Sequence, residues 1–546
     1  LLFIEFLTNT YQLKKTTNIP TLLFLGPLLL GLCYWLIRTY GLPIHDFSNA
    51  YIGAVFLKEG WWSTGVYDAW KFNSMALEKG FSNLFLAYYP NTPFLAFFFY
   101  PATFLSPIWA KICFNLLSSS LFLLMLVRAQ RRWRFSAGVF LLVPVVFFTS
   151  LRNGLYFGQV YLLLSFLLAE GLHAFQKKRF VVGAFCWAIA LMLKVFPVLL
   201  GVLLIAEKHY KAALVYGVAC ISLLSISLFQ VDMASWMYYF TDVFPKSSSG
   251  TYYDGFTPAA KSATMLFKHL FVYDALHNPT PVFNSYTAFI FMQAFYKTIV
   301  LSTAIFFTWK SKQDLITKVG LWLIAGMLLS PGLSSYAGIL LLFPWLVVFR
   351  NDLQLTQKQQ ILFSVLIALY VNLPITYFYE LPLYLKFPKV YVLLLIFIYY
   401  QQLLLPKESK RINHISQVGI GMGLFLFFTV PAVIKKTPPQ NTYVLEKEKH
   451  ILTSDYTIKN GQLEYEYWTV PAPKRLTTNI MVHQFDTNVV RIKDKQIYYK
   501  GMPLTNTNSN KRKPMVINGK EIFYLSDQNR GMGFYTLMKV RLTEKK

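Results

Sequence analysis

The sequence predicts an α-helical polytopic membrane protein of about thirteen transmembrane helices, followed by a small C-terminal β-rich extracytoplasmic domain. Three observations carry that expectation. Hydrophobic residues make up 55% of the 546 positions and charged residues only 14%, with a mean hydropathy of +0.42, a composition expected of a chain that uses lipid as solvent. Basic residues gather in short clusters between apolar runs, as cytoplasmic loops do. Beyond Pro438-Pro439 the texture changes to short alternating segments broken by turn dipeptides. The net charge of +27, from 52 Lys plus Arg against 25 Asp plus Glu, therefore reads first as topology, and nucleic acid is a poor second explanation. Cys33, Cys113, Cys186 and Cys220 all lie within apolar runs and lack metal-ligand spacing, which argues against a disulfide framework or a zinc site.

Lys14-Lys15, Arg128 to Arg134, Lys177-Lys178-Arg179, Lys208 to Lys211, Lys310 to Lys318, Arg350 and Lys407 to Arg411 should all face the cytoplasm. Residues 21–40 then lead outward, and 108–127 return to the first Arg cluster. Pro93 to Leu105 is too short to span alone and reads as re-entrant or interfacial. Segments 136–149 and 158–175 form the next hairpin, with Leu151 to Gln159 as its outer loop. Arg179 to Lys208 must cross twice in two short halves that meet at Lys194-Val195-Phe196-Pro197, and Lys318 to Arg350 repeats the layout around Ser330-Pro331. Short, Pro-interrupted crossings imply helix ends that face a protein-lined cavity, because lipid leaves backbone groups unpaired. Spans at 212–229, 286–308, 360–375, 389–405 and 415–433 complete the set, with the N terminus inside and the C terminus outside.

Three outer segments are long enough to build a site. Residues 41–107 read as short amphipathic helices, with Tyr51, Val55, Phe56 and Trp61-Trp62 placed for a headgroup layer. Residues 230–285 carry scattered charges, among them Asp232, Asp242, Asp254, Lys261 and Lys268. In 437–546, Asn460-Gly461 and Asn518-Gly519 each separate two strand-like runs, a hairpin signal, and further strands are expected at Val489 to Ile492, Gln496 to Tyr499 and Tyr535 to Val540. The helical domain is thus expected over 1–436 and the β domain over 437–546.

Asp46, in Leu42-Pro43-Ile44-His45-Asp46-Phe47, directly follows the first apolar run. A carboxylate at the mouth of a transmembrane bundle is by default a functional-site hypothesis. The succession His45-Asp46-Phe47, Tyr51, Gly60, Gly65-Val66-Tyr67-Asp68, Tyr89-Pro90, Gly158-Gln159, Gly183, Leu193-Lys194-Val195-Phe196-Pro197 and Ser330-Pro331 resembles glycosyltransferase family 87 over about residues 20–350. No single piece is specific, but the ordered set is. Two departures stand out. Asn91 replaces the family's usual second proline after Tyr-Pro, and a His often found after Ser-Pro is missing, with Ser334, Ser335 and Tyr336 in its neighbourhood.

The resemblance implies a GT-C fold and a polyprenyl-phosphate-sugar donor, with a glycolipid or glycan acceptor; characterised members use polyprenyl-phosphate mannose. A single base suffices for an inverting displacement, and by analogy Asp46 is that base; the alternative is a loop acid capping the helix that starts at Phe47. Lys194 suits the donor phosphate, or snorkels to headgroups. Arg152 either clamps the same phosphate or is a plain loop arginine. Gln159 meets sugar hydroxyls or caps a helix. His45 orients Asp46 or is incidental. Tyr88 and Tyr89 stack on a sugar or belong to an interfacial belt. Tyr336 joins the sugar and acceptor side, and Asp68 is either a second acid or, more simply, a helix cap. Glu170 and Lys297 read as structural.

Carboxylates in the outer loops are scattered and the first loop has no Asp-x-Asp pair, so neither a metal nor another cofactor is expected. The expected setting is the plasma (inner) membrane, with the active site and the β domain extracytoplasmic and with membrane lipids, not nucleic acid, as the remaining partners. The competing class is a lipid-linked sugar or lipid transporter (a flippase), which also has broken helices and intramembrane lysines. The one large loop-rich face and the exported domain favour an enzyme.

Overall fold

The computed structural model describes residues 21–41, 44–250, 256, 262–274, 278–378, 381–404, 442–444, 452–469, 473–507, 509–528 and 531–542. The basic clusters at Lys14-Lys15 and Lys407 to Arg411, the span expected at 415–433, Leu42-Pro43, Asp254, Lys261, Pro438-Pro439 and the boundary at 436/437 lie outside the described residues. The remainder is a predominantly α-helical, membrane-associated part and a separate β-stranded C-terminal part. Among the described residues three helices are long and apolar enough to cross a membrane: Pro107–Trp133, Tyr210–Ser227 and Tyr286–Lys310. A fourth arises if Ala137–Val146 and Phe148–Phe157, bent by 67° against each other, count as one.

The helices begin and end where the sequence chemistry dictates. Pro107–Trp133 opens on a proline whose missing N–H is no loss in a first turn, and closes on Arg131, Arg132 and a left-handed Arg134. Asp314 accepts a hydrogen bond from Thr317 N (3.3 Å) to start Leu315–Leu329, and Thr356 with Gln359 forms a capping box at Gln357–Asn372. Both broken hairpins are present. Phe180–Leu193 and Val198–Ala206 meet at Lys194 to Pro197, and Leu315–Leu329 is followed by Ser335–Leu341 and Leu342–Val348.

At the helix ends away from those tips, three of the basic clusters are ion-paired. Arg132 forks onto Glu170 (2.8 and 3.0 Å), which also meets Arg128. Lys318 pairs with Glu207 (2.6 Å) and Arg350 with Asp314 (2.7 Å). Ion pairs that are partly buried and bidentate add geometry as well as energy, so they fix how the helix ends meet.

Two expectations are corrected. Leu151 to Gln159 is not an open loop: Phe148–Phe157 is helical and stops only at Gly158, whose left-handed backbone (φ 65°) ends it. Gly154 does not break it. Nor do the aromatics of 47–62 all lie on an open surface. Phe47–Lys58 is apolar nearly all round, so it has no outward polar stripe and is enclosed by protein: Tyr51 and Phe56 are buried, and Trp62 Nε1 donates to Ser235 Oγ (2.9 Å).

Among the described residues the β part holds three antiparallel sheets. Thr442–Val444, Thr536–Arg541, Glu521–Ser526, Lys511–Ile517 and Phe485–Asp486 lie side by side in that order. Thr453–Lys459, Gln462–Tyr467 and Lys474–Met481 form the second sheet, and Val490–Lys493, Gln496–Tyr499 and Met502–Pro503 the third. Both Asn-Gly dipeptides turn hairpins with positive φ at each residue (51° and 72°; 53° and 67°), as a right-twisted ribbon requires.

This part clasps the segment that follows Phe47–Lys58 and also reaches Asp242. Ala69 N donates to Met532 O (3.0 Å), the Tyr535 hydroxyl donates to Asp68 Oδ2 (2.8 Å), and Lys495 reaches Asp242 (3.1 Å). The Arg512 guanidinium stands 3.2 Å over the Trp70 ring.

Candidate active site

Asp46 immediately precedes the helix Phe47–Lys58, where a carboxylate would ordinarily cap the free backbone N–H groups, yet its side chain makes no such bond. Instead Oδ2 accepts from Gln159 Nε2 (3.0 Å) and from the Tyr336 hydroxyl (3.4 Å). Gln159 is delivered there by Gly158. A Cβ at 158 would fall 2.7 Å from Phe47 Cβ, so only glycine lets the two segments approach this closely.

These groups line a cavity of about 240 Å³ together with Asn49, Tyr89, Asn91 and Lys194. Lys194 follows the last turn of Phe180–Leu193, where the helix has given way to extended backbone (φ −150°, ψ 128°). Its Nζ donates to Asn91 Oδ1 (2.9 Å), and it lies within electrostatic reach of Asp46. The Thr92 hydroxyl donates to the Met192 carbonyl and so holds Asn91 against this hairpin tip. Burial pushes the Asp46 carboxyl above its ordinary value; the Lys194 charge and the hydrogen bonds from Gln159 and Tyr336 act the other way without cancelling it. The result is an acid and a base on one small polar cavity, held apart rather than joined in a direct salt bridge.

Of the residues singled out in the sequence, the structure brings Asp46, Gln159, Lys194, Tyr89 and Tyr336 together. His45 adjoins them in left-handed backbone (φ 47°) and stacks on Tyr156 with ring centroids 4.6 Å apart; its Nε2 is buried and unpaired among the described residues. Tyr88 is not a sugar platform: it is fully buried, and its hydroxyl donates to Thr92 O (2.8 Å).

Arg152 and Asp68 lie elsewhere. The helix Phe148–Phe157 turns Arg152 toward Trp35 and Phe148, and its Nε donates to Asn153. Asp68 caps Ala69–Glu78 through Lys71 N (3.0 Å) and receives Tyr535, so it is a buried fastening of the β part. Asp68→Ala is expected to destabilise the fold by about 2–4 kcal/mol, from a lost cap and a stranded buried hydroxyl. Asp68→Asn, which keeps the cap acceptor for Lys71 N and turns its NH2 toward the Tyr535 hydroxyl oxygen, should recover part of it. Equal melting temperatures for Asp68→Ala and the parent would contradict this.

Sequence reasoning passed over Asn49, Asn91 as a partner of Lys194, and Lys111. Asn49 Oδ1 accepts from Ala87 N (2.7 Å) and so shapes the cavity wall. Lys111 is buried in the first turn of Pro107–Trp133 and bears electrostatically on both Asp46 and His45. A lysine one turn inside an apolar helix was the signal for it. Among the described residues no three His, Cys, Asp or Glu side chains converge as a metal site requires.

Residues 89–331 match the family model of glycosyltransferase family 87. The chain carries a glycosyltransferase family 87 domain. The enzyme is thus a glycosyltransferase, and the matched stretch is shorter than the 20–350 expected. Tyr89, Asn91, Gln159 and Lys194 fall within it, whereas Asp46 and Tyr336 enter the cavity from outside the match. No curated protein and no solved structure matches the chain.

Proposed function

We propose that this glycosyltransferase moves a hexose, mannose in the family reading, from a polyprenyl-phosphate donor to a hydroxyl of a glycolipid or envelope glycan. Asp46 takes the proton from the acceptor hydroxyl as its oxygen attacks the anomeric carbon from the face opposite the phosphate. The bond from that carbon to the phosphate oxygen breaks with its electron pair, and the polyprenyl phosphate departs against the Lys194 ammonium. Gln159 and Tyr336 hold the carboxylate toward the cavity. The observation that carries this reading is the Asp46 side chain leaving its helix uncapped to face a lysine across the cavity.

The rest of the architecture follows the same proposal: a GT-C arrangement of about thirteen crossings over 1–436 in the plasma membrane, with the cavity and the residues 437–546 extracytoplasmic. Purified enzyme in lipid nanodiscs, given a polyprenyl-phosphate hexose of known anomeric configuration and an acceptor extract, should form a product of the opposite configuration. Retention of configuration would overturn the back-side displacement.

A further inference from the structure

A second cleft, of about 580 Å³, lies between the helix Ala69–Glu78 and the β part, well within the roughly 300–1,000 Å³ of small-molecule sites. Its walls combine indole surface with paired charges. Trp70 and Trp468 are half-buried and pack against the β core, so each is anchored on one side. Asp455 and Glu466 supply carboxylates whose partners leave acceptor capacity over: Asp455 Oδ1 takes Lys513 (2.9 Å), and Glu466 takes Ser454 (2.8 Å) and Arg475 (3.2 Å). Arg512, over Trp70, has a buried Nη1 with no hydrogen-bond partner among the described residues. Buried donors are ordinarily paired, and this one belongs to a side chain that lines the cleft.

We propose that this cleft is a saccharide-binding subsite for a neutral stretch of glycan, separate from the cavity at Asp46. The lining charges are near balance, with Glu78, Asp455 and Glu466 against Arg512 and Lys513, so neither a polyanion nor a polycation is favoured. A pyranose suits them. Its hydroxyls donate to carboxylates and accept from a guanidinium, while its C–H face lies against an indole.

The subsite shares a frame with the active site. Trp70 and Ser74 sit on the helix whose Asn73 bonds both the N–H and the C=O of Leu86 (2.8 and 2.7 Å). The next residue, Ala87, is held by Asn49 and lines the cavity at Asp46. A glycan seated at Trp468 is thereby registered to the reacting centre through one short run of backbone.

The test is binding to the full chain in nanodiscs, read by saturation-transfer NMR and calorimetry. The probes are mannotetraose, cellotetraose and chitotetraose, with a sulfated heparin tetrasaccharide as the anionic comparison. At least one neutral tetrasaccharide should bind with millimolar or tighter affinity, and Trp468→Ala should weaken it by about tenfold. Glu466→Gln, a near-isosteric change that keeps the sheet, should weaken it as well, and Asp46→Asn should leave it unchanged. No neutral probe binding, preference for the sulfated probe alone, indifference to both cleft variants, or loss of binding in Asp46→Asn would each overturn the assignment. Because no turnover is needed, failure here leaves the transfer reaction untouched, and failure of transfer leaves this result standing.

Discussion

Asp46→Asn is expected to lower turnover by about 10²–10⁴-fold, the range that a positioned general base contributes. Donor affinity should be retained or improved, because the amide removes a negative charge from the cavity proposed to take the donor phosphate. The amide also keeps an oxygen for the Gln159 and Tyr336 hydrogen bonds, so the cavity wall should persist. As the proposed base, Asp46 would work only when ionised, and burial holds its pKa above the usual carboxylate value. Activity should therefore fall as pH drops through that raised pKa, on an acid limb displaced upward from the ordinary range. Single-turnover transfer with radiolabelled donor measures both effects, and turnover at the parent's rate in the variant would remove Asp46 from the chemistry.

Lys194→Met should weaken donor binding by about 10- to 150-fold, the loss of one hydrogen bond to a charged group. It should also slow transfer, because the departing phosphate loses its cation. Asn91→Ala separates the two contributions. That change frees the ammonium from the amide that now directs it (2.9 Å) while preserving its charge, so affinity should shift far less than in Lys194→Met. Equilibrium binding of labelled polyprenyl-phosphate hexose decides the matter; equal affinities for parent and Lys194→Met would discard the phosphate role.

Much of the fold was legible because its signals are local. The two Asn-Gly turns sit where the dipeptides announce them, and the strand Gln496–Tyr499 has the bounds its pattern implies. The tip of the broken hairpin at Lys194 to Pro197 was readable from a proline and two flanking basic clusters. What failed was non-local. The burial of Phe47–Lys58 depends on which elements surround it, and its sequence differs little from that of an interfacial helix. Arg152 carries chemistry suited to a site, but direction decides its role, and direction comes from a helix that runs on to Gly158; Asp68 caps its helix as expected, while its second partner, Tyr535, lies 467 residues away. Asn91 is instructive in the other sense. In the sequence it stands out only as a departure from the family pattern, and the structure has it as the hydrogen-bond partner of Lys194.

The distance between Asp68 and Tyr535 along the chain also orders the molecule's assembly. Ribosomes deliver the segment with Asp68 long before the strand that completes its hydrogen bonding, so this fastening can close only after nearly the whole chain has been synthesised.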